Sequence, residues 1–139
     1  MKLTRRNVMV MGAGAFVVLN MPRTAAAATG EEVIATFTGG AETADAGITL
    51  TAPEIAENGN TVPIEVSAPG AVEILVVALG NPTPPVATFK FGPLAGSQSA
   101  STRIRLATTQ DVVAVAKMAD GTFAKATSTV KVTIGGCGG

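Results

Sequence analysis

Glu73-Ile74-Leu75-Val76-Val77-Ala78-Leu79 is an unbroken apolar run behind a single acid. It is too short for an ordinary helix and rich in β-branched residues, so it predicts a central strand packed on both faces. The segments around it carry the period of half-buried strands. Upstream, Ile48 and Leu50 alternate with threonines, and Val62, Ile64 and Val66 alternate with Pro63, Glu65 and Ser67. Downstream, Ala87 to Phe91 gives a short strand, and Ser101 to Ala107 sends Thr102, Ile104 and Leu106 to one face and Arg103 and Arg105 to the other. Asp111 to Met118 and Thr122 to Ile134 flank Asp120-Gly121, a pair that favours the positive φ of a tight hairpin. On the last strand Ala124, Ala126, Val130, Val132 and Ile134 share a face, and Phe123 breaks the pattern. Gly80-Asn81-Pro82-Thr83-Pro84-Pro85 reads as a loop, because its three prolines lack an amide hydrogen. Glu31 to Thr38 fits either a short helix or a frayed strand, ended by Gly39-Gly40. Strands near every tenth residue, with turns between them, predict an all-β, two-sheet antiparallel sandwich of about seven strands.

The N-terminal segment has the order of a bacterial secretory signal. A basic start (Lys2, Arg5, Arg6) precedes the apolar, charge-free run Val8 to Leu19 and the small residues Ala25 to Ala28. Arg5 and Arg6 point to the twin-arginine route, although Val8, Met9 and Val10 stand where that signal usually carries Phe-Leu-Lys. As a helix the apolar run covers about 18 Å, short of a hydrocarbon core of about 30 Å, so a cleaved signal over residues 1–28 is expected rather than a membrane anchor. The expected organisation is then a sandwich domain over residues 29–134 and a tail over residues 135–139.

Cleavage would remove four of the ten basic residues and none of the ten acidic ones, leaving the domain about four charges negative. A nucleic-acid binder needs a concentrated basic surface, and this composition does not supply it. With no histidine and one cysteine, the common zinc, copper and haem ligand sets cannot be assembled from one chain, and no cofactor is expected. Glu54 and Glu57 resemble a carboxylate pair, but nothing else catalytic accompanies them, and Arg103 and Arg105 read as the wet side of a strand or an anion-binding stripe.

The single cysteine, Cys137, lies in Gly135-Gly136-Cys137-Gly138-Gly139, directly after the last predicted strand. Glycines on both sides leave the thiol unshielded and its backbone with little preference, so the segment reads as an arm. Five extended residues reach about 17 Å at roughly 3.4 Å each, enough to lower a thiol into an enzyme cleft. The tail holds no histidine, lysine or helix N-terminus to activate the sulfur. Activation must therefore come from whichever site receives it. The position of the cysteine excludes a prenylation signal, a lipoprotein anchor and a phosphate cradle. Three other readings stand beside the arm: an untethered glycine-rich terminus without a role, an exported interaction module that makes an intermolecular disulfide through Cys137, and a thiol enzyme, which the missing base disfavours.

The terminal pentapeptide, Val130-Lys131-Val132-Thr133-Ile134, Ala52-Pro53-Glu54-Ile55-Ala56-Glu57-Asn58-Gly59 with Val62-Pro63, and Ser101-Thr102-Arg103-Ile104-Arg105-Leu106-Ala107 together resemble the SoxY family. That family comprises sulfur-compound carrier subunits of bacterial thiosulfate oxidation. The resemblance implies an immunoglobulin-like sandwich, a periplasmic location and a heterodimer with a SoxZ-type subunit. It implies that Cys137 carries the cargo as a cysteine S-thiosulfonate, with Gly135, Gly136, Gly138 and Gly139 giving the arm its freedom. It further implies partners that act on the carrier: a haem c enzyme that couples thiosulfate to the thiol, a metal-dependent hydrolase that releases sulfate and, in some systems, a molybdenum and haem sulfane dehydrogenase. Neither nucleic acid nor membrane is an expected partner, and the chain itself is expected not to be an enzyme.

Overall fold

Residues 26–134 are described by the structure, a computed structural model. Helix α1 (Gly30–Thr38) precedes nine strands: β1 (Thr43–Ala44), β2 (Thr49–Thr51), β3 (Ile55–Ala56), β4 (Val62–Ser67), β5 (Ala71–Ala78), β6 (Pro85–Lys90), β7 (Ser99–Ile104), β8 (Gln110–Met118) and β9 (Phe123–Val132). One sheet runs β1-β9-β8-β5-β6, with β3 also on the outer edge of β9, and the other runs β2-β4-β7. Their inner faces meet in one core, to which β4 gives Val62, Ile64 and Val66, β5 gives Ile74, Val76 and Ala78, and β8 gives Val112, Ala114 and Ala116. This is the expected all-β immunoglobulin-like sandwich.

The run that announced β5 is buried on both faces for two separate reasons. Its even residues enter the core, while Leu75 and Val77 are buried on the far side of the sheet. Helix α1 lies there. A Cβ on Gly30 would stand 2.5 Å from Leu79 Cδ2 and 3.3 Å from Val77 Cγ1, so the first turn rests closely on the end of β5 and a side chain there would have to displace that of Leu79. At the other end of the helix Phe37 meets Phe123 edge-on, with ring centroids 5.9 Å apart. The residue that breaks the alternation of β9 is thus the one that docks the helix.

The helix resolves the open choice for residues 31–38. Thr29 Oγ1 accepts from the Glu32 amide at 3.3 Å while Glu32 Oε2 accepts from the Thr29 amide at 2.8 Å, a reciprocal capping box. Gly39 then ends the helix at φ +64°. Asp120-Gly121 makes the β8–β9 hairpin as expected, with Gly121 at φ +85° and the Met118 amide bonded to the Thr122 carbonyl at 2.8 Å.

Two details differ from the sequence reading. Pro85 is not part of the loop but begins β6, pairing with Val77 beside a bulge. β6 is an edge strand, where a missing amide hydrogen costs no ladder bond. The second difference is that β1 and β3 run parallel to β9, with Thr43 opposite Phe123 and Ile55 opposite Lys131. These short edge pieces raise the number of described strands to nine and leave the long strands antiparallel.

Candidate functional site at the end of the last strand

In sequence β9 is followed by Cys137, the candidate attachment residue, so the candidate site is built from the described residues where β9 leaves the sandwich. Three carbonyl or amide contacts hold that exit. The Lys131 amide donates to the Glu54 carbonyl at 2.9 Å, the Thr133 amide to the Ala56 carbonyl at 3.1 Å, and the Gly59 amide to the Ile134 carbonyl at 2.8 Å. Thr133 Oγ1 adds a bond to the Glu57 carbonyl at 3.0 Å. The segment Glu54 to Gly59 therefore clamps the chain up to Ile134, the last described residue. Ala56 is buried under this clamp, whereas Ile55 and Ile134 are 59 % and 67 % exposed.

The clamp continues into the second sheet. The Gly59 carbonyl accepts from the Leu106 amide at 2.8 Å, so one glycine joins the end of β9 to the segment after β7. That segment is fixed from its other side by Asn81, whose Nδ2 donates to the Arg105 carbonyl at 2.8 Å and whose Oδ1 accepts from the Ala107 amide at 2.9 Å. Buried Gln110 completes the tie, donating to Asn81 Oδ1 at 2.9 Å and to the Thr108 carbonyl at 3.0 Å and accepting from the Gly80 amide at 2.8 Å. The Val132 amide in turn donates to Thr109 Oγ1 at 3.0 Å. The exit from β9 is thus a braced frame of three loops rather than a frayed end.

Among the predicted site residues, Cys137, Gly135, Gly136, Gly138, Gly139, Arg5 and Arg6 lie outside the described residues. Arg103 and Arg105 are exposed on the outer face of the smaller sheet, as the alternation required, and Arg103 Nη1 reaches Thr61 Oγ1 at 3.4 Å, beside the clamp. Glu54 and Glu57 are exposed on the other side of the exit, and Glu54 shares a surface pocket with Ile55, Thr129 and Lys131. No group of three potential metal ligands occurs among the described residues. Also among them, no helix is long and apolar enough to cross a membrane. Over residues 52–60 the sequence reading singled out only Glu54 and Glu57 and the family-like stretch around them, and it missed the clamp. Its signal was the apolar pair Ile55-Ala56 set among turn residues. Gln110 carried no comparable signal.

An immunoglobulin-like sandwich with a braced exit from its last strand, followed in sequence by a lone glycine-flanked cysteine, defines a class of small β proteins with a single cysteine after the last strand. The family model described as sulfur oxidation protein SoxY matches residues 34–137, and the chain belongs to the SoxY family. The solved structure of the sulfur carrier protein SoxY from Chlorobium limicola f thiosulfatophilum is 36% identical, with a TM-score of 0.63 over 75% of this chain and 96% of that one. A superoxide reductase (neelaredoxin) from Ignicoccus hospitalis is 18% identical with a TM-score of 0.54, covering 61% of this chain and 78% of that one, and shares the fold alone. No curated protein matches the chain.

Proposed function

We propose that the chain is a covalent carrier of sulfur intermediates in periplasmic thiosulfate oxidation, with the cargo held on Cys137. The observation that carries this reading is that the family match extends to residue 137 and so takes in the only cysteine. The 36 % identical Chlorobium protein is itself described as a sulfur carrier. In the first step the Cys137 thiol and thiosulfate form an S–S bond, giving Cys–S–S–SO₃⁻, and a proton and two electrons leave to a haem c enzyme. Water then attacks the terminal sulfur in a hydrolase, which releases sulfate and a proton and leaves Cys–S–SH. A covalent link keeps the reactive sulfur from diffusing away and turns each later step into a docking event at raised effective concentration.

The braced exit supports the reading because it fixes where the arm starts. Glycines 135, 136, 138 and 139 then give the sulfur its reach, and Arg5 and Arg6 direct export of the folded domain, which a SoxZ-type subunit joins. Replacing Cys137 by serine is expected to abolish thiosulfate-dependent sulfate formation in a reconstituted system while leaving the unfolding midpoint unchanged. Intact-mass spectrometry of the protein from thiosulfate-grown cells is expected to place a sulfur adduct on Cys137. Retained turnover by the serine variant, or a disulfide-linked dimer as the only species in such cells, ends the carrier reading.

A further inference from the structure

The surface around the exit of β9 is divided by charge. Glu54 and Glu57 are exposed on the edge where β3 joins β9, and Arg103 and Arg105 are exposed on the outer face of the smaller sheet. Of the other charged groups near these faces, Lys131 sits opposite Ile55 on the acidic side, and Glu65 lies on the arginine face but farther from this end, opposite Ser101. Gly59 is bonded to both Ile134 and Leu106 at 2.8 Å, so the bonded atoms of those two residues stand no more than about 10 Å apart. Arg105 is the neighbour of Leu106, and its backbone is held by Asn81. Residues 135–137 span about 10 Å when extended, at roughly 3.4 Å each. A chain of that length is thus long enough to bridge from Ile134 to the neighbourhood of Arg105.

We propose, on the basis of the carrier reading, that the arginine stripe Arg103/Arg105 is a resting dock for segment 135–139 when Cys137 bears an anionic adduct. The occupant follows from the length of chain after Ile134 and from charge. The sulfonate end of Cys–S–S–SO₃⁻ is repelled by Glu54 and Glu57 and attracted to two guanidiniums, which hold oxyanions through paired N–H donors. A bare thiol or a neutral adduct lacks that attraction. The dock thus distinguishes the sulfonate-bearing arm from the bare thiol, shielding the charged cargo between encounters. An exposed arginine–anion contact of this kind changes the docked population by about two- to fivefold and weakens with salt.

The test compares two adducts on the full-length protein. Tetrathionate converts the Cys137 thiolate to Cys–S–S–SO₃⁻ with release of thiosulfate, and methyl methanethiosulfonate converts it to neutral Cys–S–S–CH₃ with release of methanesulfinate. By ¹⁵N NMR the anionic adduct is expected to shift the Arg103 and Arg105 Nε–H signals and the amides of Arg105 to Ala107, and the neutral adduct to leave them in place. Dithiothreitol is expected to strip the anionic adduct about two- to fivefold faster from R103Q/R105Q than from wild type, with R103K/R105K between them. Equal shifts with both adducts, or equal stripping rates in wild type and R103Q/R105Q, overturn the dock. That result leaves the carrier reading intact if wild type still turns over thiosulfate and the Cys137→Ser variant does not.

Discussion

Gln110 is the polar residue on which the frame around the β9 exit turns. It is 7% exposed, and its amide serves the Gly80 amide, Asn81 Oδ1 and the Thr108 carbonyl at once. Truncation to alanine strands these groups, and a buried donor left without a partner costs about 1–3 kcal/mol. The Gln110→Ala variant is expected to lose about 2 kcal/mol in urea unfolding, seen as a lower midpoint with an unchanged slope. Asp120 gives a second residue-scale prediction, at the other end of the molecule. The Thr122 hydroxyl donates to its Oδ1 at 2.6 Å and the Thr122 amide at 3.0 Å, and these bonds hold the carboxyl below its ordinary 3.8. Since the folded value is depressed, the contribution is complete above the unfolded pKa and disappears as pH falls through the folded one. Asp120→Asn is therefore expected to be less stable than wild type near pH ~7, with the gap closing by pH ~2 when thermal unfolding is followed at both.

At the scale of elements the clamp is the piece that sequence periodicity could not supply. β3 is two residues long and pairs in parallel with a strand 76 positions away, as Ile55 to Lys131. Alternation over four to eight residues cannot register so short a strand, and its partner is set by the fold around it. Gln110 was hidden for the same reason, because Gly80 and Asn81 come from about thirty residues upstream. By contrast β5, the β8–β9 hairpin and the arginine face of β7 were legible, since each rests on local composition or period. The capping box at Thr29 and Glu32 was also written in the sequence and would have settled the helix. Cys137 needed no structure at all, being the only cysteine in the chain. The clamp itself can be loosened at one side chain. Thr133→Val keeps the β-branch and removes the hydroxyl bonds to the Ala56 and Glu57 carbonyls. The expected cost is about 0.5–1.5 kcal/mol. Hydrogen exchange should quicken at the Thr133 and Gly59 amides and stay unchanged in β5 and β8.

For the whole molecule, the place of the core along the chain bears directly on the proposed carrier role. Among the described residues, every buried hydrophobic side chain lies between Ile48 and Val130, and the outer face of β5 is closed by α1 from the other end of the chain. The described core thus precedes residue 131 in sequence, and the last backbone bond of the clamp is the one accepted by the Ile134 carbonyl. Changes in the tail should then separate folding from transfer. Gly136→Val with Gly138→Val places two stiff β-branched residues beside the sulfur, narrowing both the backbone range and the cleft the thiol can enter. Unfolding free energy is expected to stay within about 0.5 kcal/mol of wild type, as for surface changes that touch no core or cap. Sulfate release in the reconstituted system is expected to fall roughly tenfold, because misplacement of a reacting atom by about an ångström already costs that much or more. The measurement is a pair of curves on one preparation, thermal unfolding and sulfate formation against time. If both are unchanged, the freedom of the glycines has no part in delivery. If both fall together, the tail belongs to the folded body and the arm reading fails.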